Sequence, residues 1–107
     1  MSRPIYVIPD IHGQKVMLDL ALARIEAEAG RNARTVFLGD LVDRGPDSRG
    51  VIQTLIDGLE SGRDWIVLCG NHDRLFHQVL SDGAGPLRHW TDDNMGGRET
   101  LGSYGIE

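Results

Sequence analysis

The sequence predicts an α/β fold, a layered arrangement in which parallel central strands alternate with helices in the order βαβαβα. Three observations predict it. Short apolar runs at residues 5–8, 35–38 and 65–69 have the length and composition of strands. Stretches with helical spacing of apolar residues follow each of them. Every strand run also ends in a cluster of glycines and polar, chemically competent residues. Strand–helix alternation implies parallel strands joined by right-handed crossovers, with helices covering the sheet. Ligands of such sheets bind beyond the carboxyl ends of the strands.

The first element, Ile5-Tyr6-Val7-Ile8, is continuously apolar and closed by Pro9. That pattern predicts a strand buried on both faces. Residues 14–29 have helical spacing: Met17, Ala21 and Ile25 form one row, Leu18 and Leu22 its neighbour, and Gly30 is placed to end the helix. Residues 35–38 form the second strand. From about residue 48 to 59, Val51, Ile52, Leu55, Ile56 and Leu59 make the cleanest amphipathic stripe in the chain, a core face, with Gly62 as a stop. Residues 65–69 are the third strand, on which Trp65 caps the core. A short helix over 74–80 offers Leu75, Phe76, Val79 and Leu80 for packing. Residues 81–86 are a loop by composition, and 88–107 form a glycine-rich polar tail with Trp90 and Tyr104 as its aromatics. No strand-like run follows, so the chain reads as the first half of a larger sheet.

With 107 residues the chain is one domain at most. A net charge of −5 argues against a general nucleic-acid binder, which needs a basic face. The longest apolar run, 65–69, is far too short to span a membrane, and Met1-Ser2-Arg3-Pro4 leads into a strand rather than a signal-peptide core. Cys69 is the sole cysteine, so no internal disulfide forms; a buried, inert thiol in a reducing compartment is expected. The expected location is cytoplasmic, without nucleic-acid or membrane partners.

The chemistry lies in three runs: Asp10-Ile11-His12-Gly13, Gly39-Asp40-Leu41-Val42-Asp43-Arg44-Gly45 and Gly70-Asn71-His72-Asp73. A two-metal hydrolase needs hard oxygen ligands and imidazoles, with one group bridging both ions. Asp10 and His12 alternate, so an extended turn brings both to the same ion. Asp40, at the next strand end, is the natural bridging carboxylate, and Asn71 offers an amide oxygen from the third. Convergence of Asp10, Asp40, Asp43 and Asp73 would concentrate negative charge that bound cations offset. Gly13, Gly39, Gly45 and Gly70 allow close backbone approach. Elsewhere, His77 is spaced for a surface pair with Asp73, His89 is a surface or packing residue, Trp90 packs across the rim of the site, and Asp92 and Asp93 are solvated.

Together these runs resemble the signature of the metallophosphoesterases. Residues 39–45, with Arg44 after Asp43, resemble the version in the phosphoprotein phosphatase (serine/threonine phosphatase) branch. Trp90, Asn94-Met95-Gly96-Gly97 and Thr100-Leu101-Gly102-Ser103-Tyr104-Gly105 are similar to the segment that follows the third motif in bacterial members. The resemblance implies a layered α/β metallophosphoesterase fold, incomplete in this chain. Residues 1–107 would be the N-terminal portion of one catalytic domain, with 1–80 its core and 81–107 a loop-rich tail. It implies two divalent ions (manganese, iron or zinc), the first held by Asp10, His12 and Asp40 and the second by Asp40 and Asn71. His72 would protonate the leaving oxygen, with Asp43 orienting and charge-stabilising it, while a metal-bound hydroxide attacks in line. Arg44, Asn71 and His72 would contact the substrate phosphate.

Two departures stand out. Asp73 occupies a position where many relatives carry glutamate. The family also draws two further histidines for the second ion, and a later arginine, from strands that would follow residue 107. The expected activity is metal-dependent phosphoester hydrolysis by a serine/threonine protein phosphatase. The alternative is a dinucleoside polyphosphate (diadenosine tetraphosphate) hydrolase, and the second alternative a fragment that binds metal or phosphate only. Expected partners are a phosphorylated protein or small phosphoester, with self-association through the truncated sheet edge.

Overall fold

A computed structural model describes residues 4–82, 87, 90–92 and 95–106. The N-terminal residues 1–3, most of the expected loop (83–86), His89, Asp93 and Asn94 lie outside the described residues.

Three parallel strands, β1 (Ile5–Ile8), β2 (Arg34–Phe37) and β3 (Trp65–Val67), pair in the order β1-β2-β3. Val7 stands opposite Val36, which stands opposite Ile66; Ile8 and Phe37 are likewise aligned. Helix α1 (Lys15–Ala29) follows β1 and α2 (Ser48–Glu60) follows β2. α1 ends at Gly30, whose φ of 84° suits glycine. α2 begins at Asp47, whose carboxylate accepts the Gly50 amide at 2.8 Å. The core is Ile8, Ile11, Leu18, Phe37, Val51, Leu55 and Trp65. Gly58 lets α2 lie directly on Trp65, where a Cβ would overlap the indole ring.

The expectation that the first strand is buried on both faces is corrected. Ile5 and Val7 are each 56% exposed and Ile66 49%, so the face carrying Val7, Val36 and Ile66 is open. Topology explains this. Right-handed crossovers between strands in sequential order put successive helices on the same face, and covering both needs a reversal of strand order. Met17 on α1, and Ile56 and Leu59 on α2, are also exposed rather than core. β3 stops at Val67, and Cys69 beyond it is exposed, not a buried thiol. Leu68 still donates to the Phe37 carbonyl (2.9 Å), after which the chain leaves the ladder and turns toward Gly70.

The third helix, α3 (Asn71–Asp82), starts three residues earlier than its apolar spacing indicates and absorbs residues 81–82 of the expected loop. The reason is capping: Asp73, at the third helical position, reaches back to the Gly70 amide at 3.0 Å. A fourth helix, α4 (Gly97–Ser103), lies where only a loop-rich tail is expected. Its glycines weaken the local signal, and tertiary bonds hold it. Arg49 of α2 donates its amide to Ser103 Oγ (3.1 Å), and Gly97 sits against Trp90 where a side chain would clash. Among the described residues, no helix is long and apolar enough to cross a membrane.

Candidate metal centre

The three motif loops leave the carboxyl ends of β1, β2 and β3, and backbone hydrogen bonds join the first two. Ile11 and His12 both donate amides to the Asp40 carbonyl (3.1 and 2.9 Å), and Gly13 donates to Leu41 (2.8 Å). Asp47 closes the arrangement by donating to Gly13 (2.9 Å). Such proximity leaves no room for side chains: a Cβ on Gly45 would overlap the His12 carbonyl, one on Gly39 the backbone of Gly70, and one on Gly70 the backbone and carboxylate of Asp40.

Among the described residues, four non-glycine residues have positive φ: His12 (45°), Asp40 (48°), Asp43 (78°) and Arg44 (70°). All four are site residues named from the sequence. Each such conformation costs about 1–3 kcal/mol and persists only where its surroundings over-determine it. Here the inter-loop bonds do so.

Asp10, His12 and Asp40 present ligand atoms that all lie within 4.8 Å of one another. His12 Nδ1 is 2.9 Å from the Val42 carbonyl, which only accepts. Nδ1 therefore carries the hydrogen, and Nε2 turns its lone pair toward Asp10, 3.8 Å from Oδ2. One imidazole nitrogen with two carboxylates suits a first-row divalent cation, so the residues present fit the first ion of the expected pair. Asn71 is exposed at the start of α3, beside His72, whose amide donates to Asp40 Oδ1 at 2.8 Å. The third loop thus docks on the same carboxylate. Among the described residues no second group of this kind occurs.

Asp73 ties the second loop to the third, since its Oδ1 accepts the Leu41 amide (2.8 Å) while Oδ2 accepts Gly70. Because this carboxylate is turned to the backbone, the expected Asp73–His77 surface pair is not formed; His77 is exposed, with its Nδ1 3.5 Å from Ser81 Oγ. Asp73→Ala orphans two part-buried amides at about 1–3 kcal/mol each. It is expected to lower stability by about 2 kcal/mol or more in urea unfolding and to weaken Mn²⁺ binding about 10–100-fold. Asp73→Asn, keeping one acceptor, should fall between. Parent-like behaviour of the alanine variant in both measurements would reject this role.

Beside the cluster, the His72 ring stands edge-on to His12, with centroids 4.7 Å apart. His72 Nδ1 lies 2.8 Å from Asp43 Oδ2, so this nitrogen donates and Nε2 is presented outward. Asp43 is fully buried. Trp90 Nε1 donates to both its oxygens at 2.7 Å, and Thr100 Oγ1 donates to Oδ1 at 2.7 Å. The Asp43 amide in turn reaches Thr100 Oγ1 (2.8 Å) and Ser48 Oγ (3.1 Å). Since the hydrogen of Thr100 goes to Asp43, Ser48 is the donor in the 3.1 Å Ser48–Thr100 contact.

Sequence reasoning missed Ser48 and Thr100, and expected Trp90 at the rim, whereas it is fully buried. One available signal was a lone tryptophan in a polar, glycine-rich tail, where its burial needs a partner for the indole N–H. Arg44 is exposed, and its backbone is fixed by donation to the Gly96 carbonyl (3.0 Å). Asp92 is exposed, as expected.

The profile of the calcineurin-like phosphoesterase family matches residues 3–105. A symmetrical bis(5′-nucleosyl)-tetraphosphatase of Ralstonia nicotianae is 43% identical over 100 residues, covering 94% of this chain and 30% of that protein. Proteins of the same name from Delftia acidovorans and a Janthinobacterium species are 39% and 38% identical over 69 and 68 residues, covering 64% of this chain and 23% of each relative. The chain therefore spans less than a third of the length of the curated relatives it matches.

Proposed function

Because the chain belongs to the calcineurin-like phosphoesterase family, we propose that it carries the cation-binding and proton-donating part of a phosphoester hydrolase acting on bis(5′-nucleosyl) tetraphosphates. The observation that carries this reading is the meeting of the Asp10–His12–Asp40 cluster with the His72–Asp43 pair at one sheet edge.

Asp10, His12 and Asp40, with Asn71 toward a second ion, would hold divalent cations (manganese, iron or zinc), which when bound polarise the phosphoryl group and activate water. The protein's own residues do the rest. With both ring nitrogens protonated, His72 would keep Nδ1–H on Asp43 and give the Nε2 hydrogen to the leaving oxygen. Asp43 fixes the ring's orientation. Arg44, exposed next to Asp43, would supply a planar guanidinium suited to a two-pronged contact with phosphate oxygens. Asp40 serves twice, as ligand and as acceptor for the first turn of α3.

For the substrate, the names of the relatives favour the dinucleotide over the protein phosphatase that Arg44 after Asp43 first suggests. A symmetrical cut adds one water and returns two identical nucleoside diphosphates. Incubating the Mn²⁺-loaded chain with bis(5′-adenosyl) tetraphosphate is expected to yield that single product. Faster release of phosphate from a phosphoserine peptide would restore the protein phosphatase reading. Cation binding with no hydrolysis of either substrate would leave a metal- and phosphate-binding fragment.

A further inference from the structure

We infer that Trp90 and Thr100 are positioning residues for His72, acting through Asp43; the inference rests on the proton-donating role given to His72 above. A carboxylate removed from water needs donors, and Asp43 is fully buried with, among the described residues, no lysine or arginine hydrogen-bonded to it. Its three side-chain donors are His72 Nδ1, Trp90 Nε1 and Thr100 Oγ1, and two of the three come from the tail, 47 and 57 residues away in sequence.

Their chemistry fits holding rather than reacting. Indole N–H is a donor only, so it cannot compete for the imidazole hydrogen. Lying 2.7 Å from both oxygens, it fixes the plane of the carboxylate, and that plane sets the direction in which His72 Nδ1–H points. Thr100 both donates to Oδ1 and accepts from the Asp43 amide, so it holds the two ends of a residue whose φ of 78° is otherwise unfavourable. Ser48 completes the set by donating to Thr100. Trp90 is itself seated by stacking on Phe76, with centroids 5.0 Å apart and planes inclined by 16°. Packing and hydrogen bonding at Trp90 are therefore separable by mutation.

The test uses the Mn²⁺-loaded chain and the variants Trp90→Phe, which keeps a ring on Phe76 but loses the N–H, and Phe76→Leu, which does the reverse. The first readout is independent of turnover and is taken with diamagnetic Zn²⁺ in place of Mn²⁺: the His72 ring Nδ1–H resonance in ¹⁵N–¹H spectra. Parent and Phe76→Leu are expected to show it sheltered from solvent exchange, and Trp90→Phe to lose it. Thr100→Val should lose it as well, with Thr100→Ser restoring it.

The second readout compares leaving groups. Trp90→Phe is expected to lower kcat on phenyl phosphate, a poor leaving group, about 10-fold more than on p-nitrophenyl phosphate, with KM nearly unchanged. A protected resonance retained in Trp90→Phe, its loss in Phe76→Leu, or an equal fall on both substrates overturns the inference. If the parent turns over neither substrate, the hydrolase reading fails by itself, and the resonance alone decides the positioning role.

Discussion

Asp40→Asn is expected to weaken Mn²⁺ binding more than ~100-fold in calorimetric titration, because changes to residues that merely support a ligand already cost about 10–100-fold. The substitution isolates charge. Asparagine tolerates the positive φ of 48° at this position as aspartate does, and its side-chain oxygen still accepts the His72 amide. The Asp40 carbonyl, which receives Ile11 and His12, is untouched. Circular dichroism should therefore superpose on the parent while affinity falls. Binding within about threefold of the parent would remove Asp40 from the ligand set.

His72→Asn is expected to lower kcat about 10²–10⁴-fold on phenyl phosphate, with a smaller loss on p-nitrophenyl phosphate, whose leaving group needs less protonation. Mn²⁺ affinity should stay near that of the parent, since the ring of His72 is turned to Asp43 rather than counted among the cation ligands. The fold should survive as well, because Trp90 and Thr100 still donate to Asp43. Equal rates for parent and variant on both substrates would show that the proton comes from elsewhere. The contrast between the two substitutions, one losing affinity and the other rate, separates holding the cation from moving the proton.

Most of the site is legible in the chain because strand ends carry it. Asp10 and His12 sit two apart after one apolar run, Asp40 two after another, and parallel strands deliver their carboxyl ends to the same edge. Close approach at Gly45 and Gly70 was legible too, since both are motif glycines beside strand ends, and a Cβ has no room at either. What was not legible depends on partners distant in sequence. Met17 fits a helical row yet is exposed, because α1 turns only Leu18 and its partly buried neighbours Ala21, Leu22 and Ile25 to the core. The early start of α3 comes from Asp73 capping Gly70, a choice its apolar spacing does not encode. Asp73 has another possible partner four residues on in His77, and only the fold reveals that the backbone amides take it.

By itself the sequence determined the order of strands and helices through the third helix, and it placed Asp10, His12, Asp40, Asp43 and His72 at strand ends as candidate site residues, since these follow from local periodicity and motif spacing. Only the tertiary structure decided that the tail folds back as α4, that Trp90 and Thr100 enclose Asp43, and that one sheet face stays open. The physical reason is range. Periodicity reports which way neighbouring side chains point, whereas a buried carboxylate selects its donors from whatever segment the topology brings beside it.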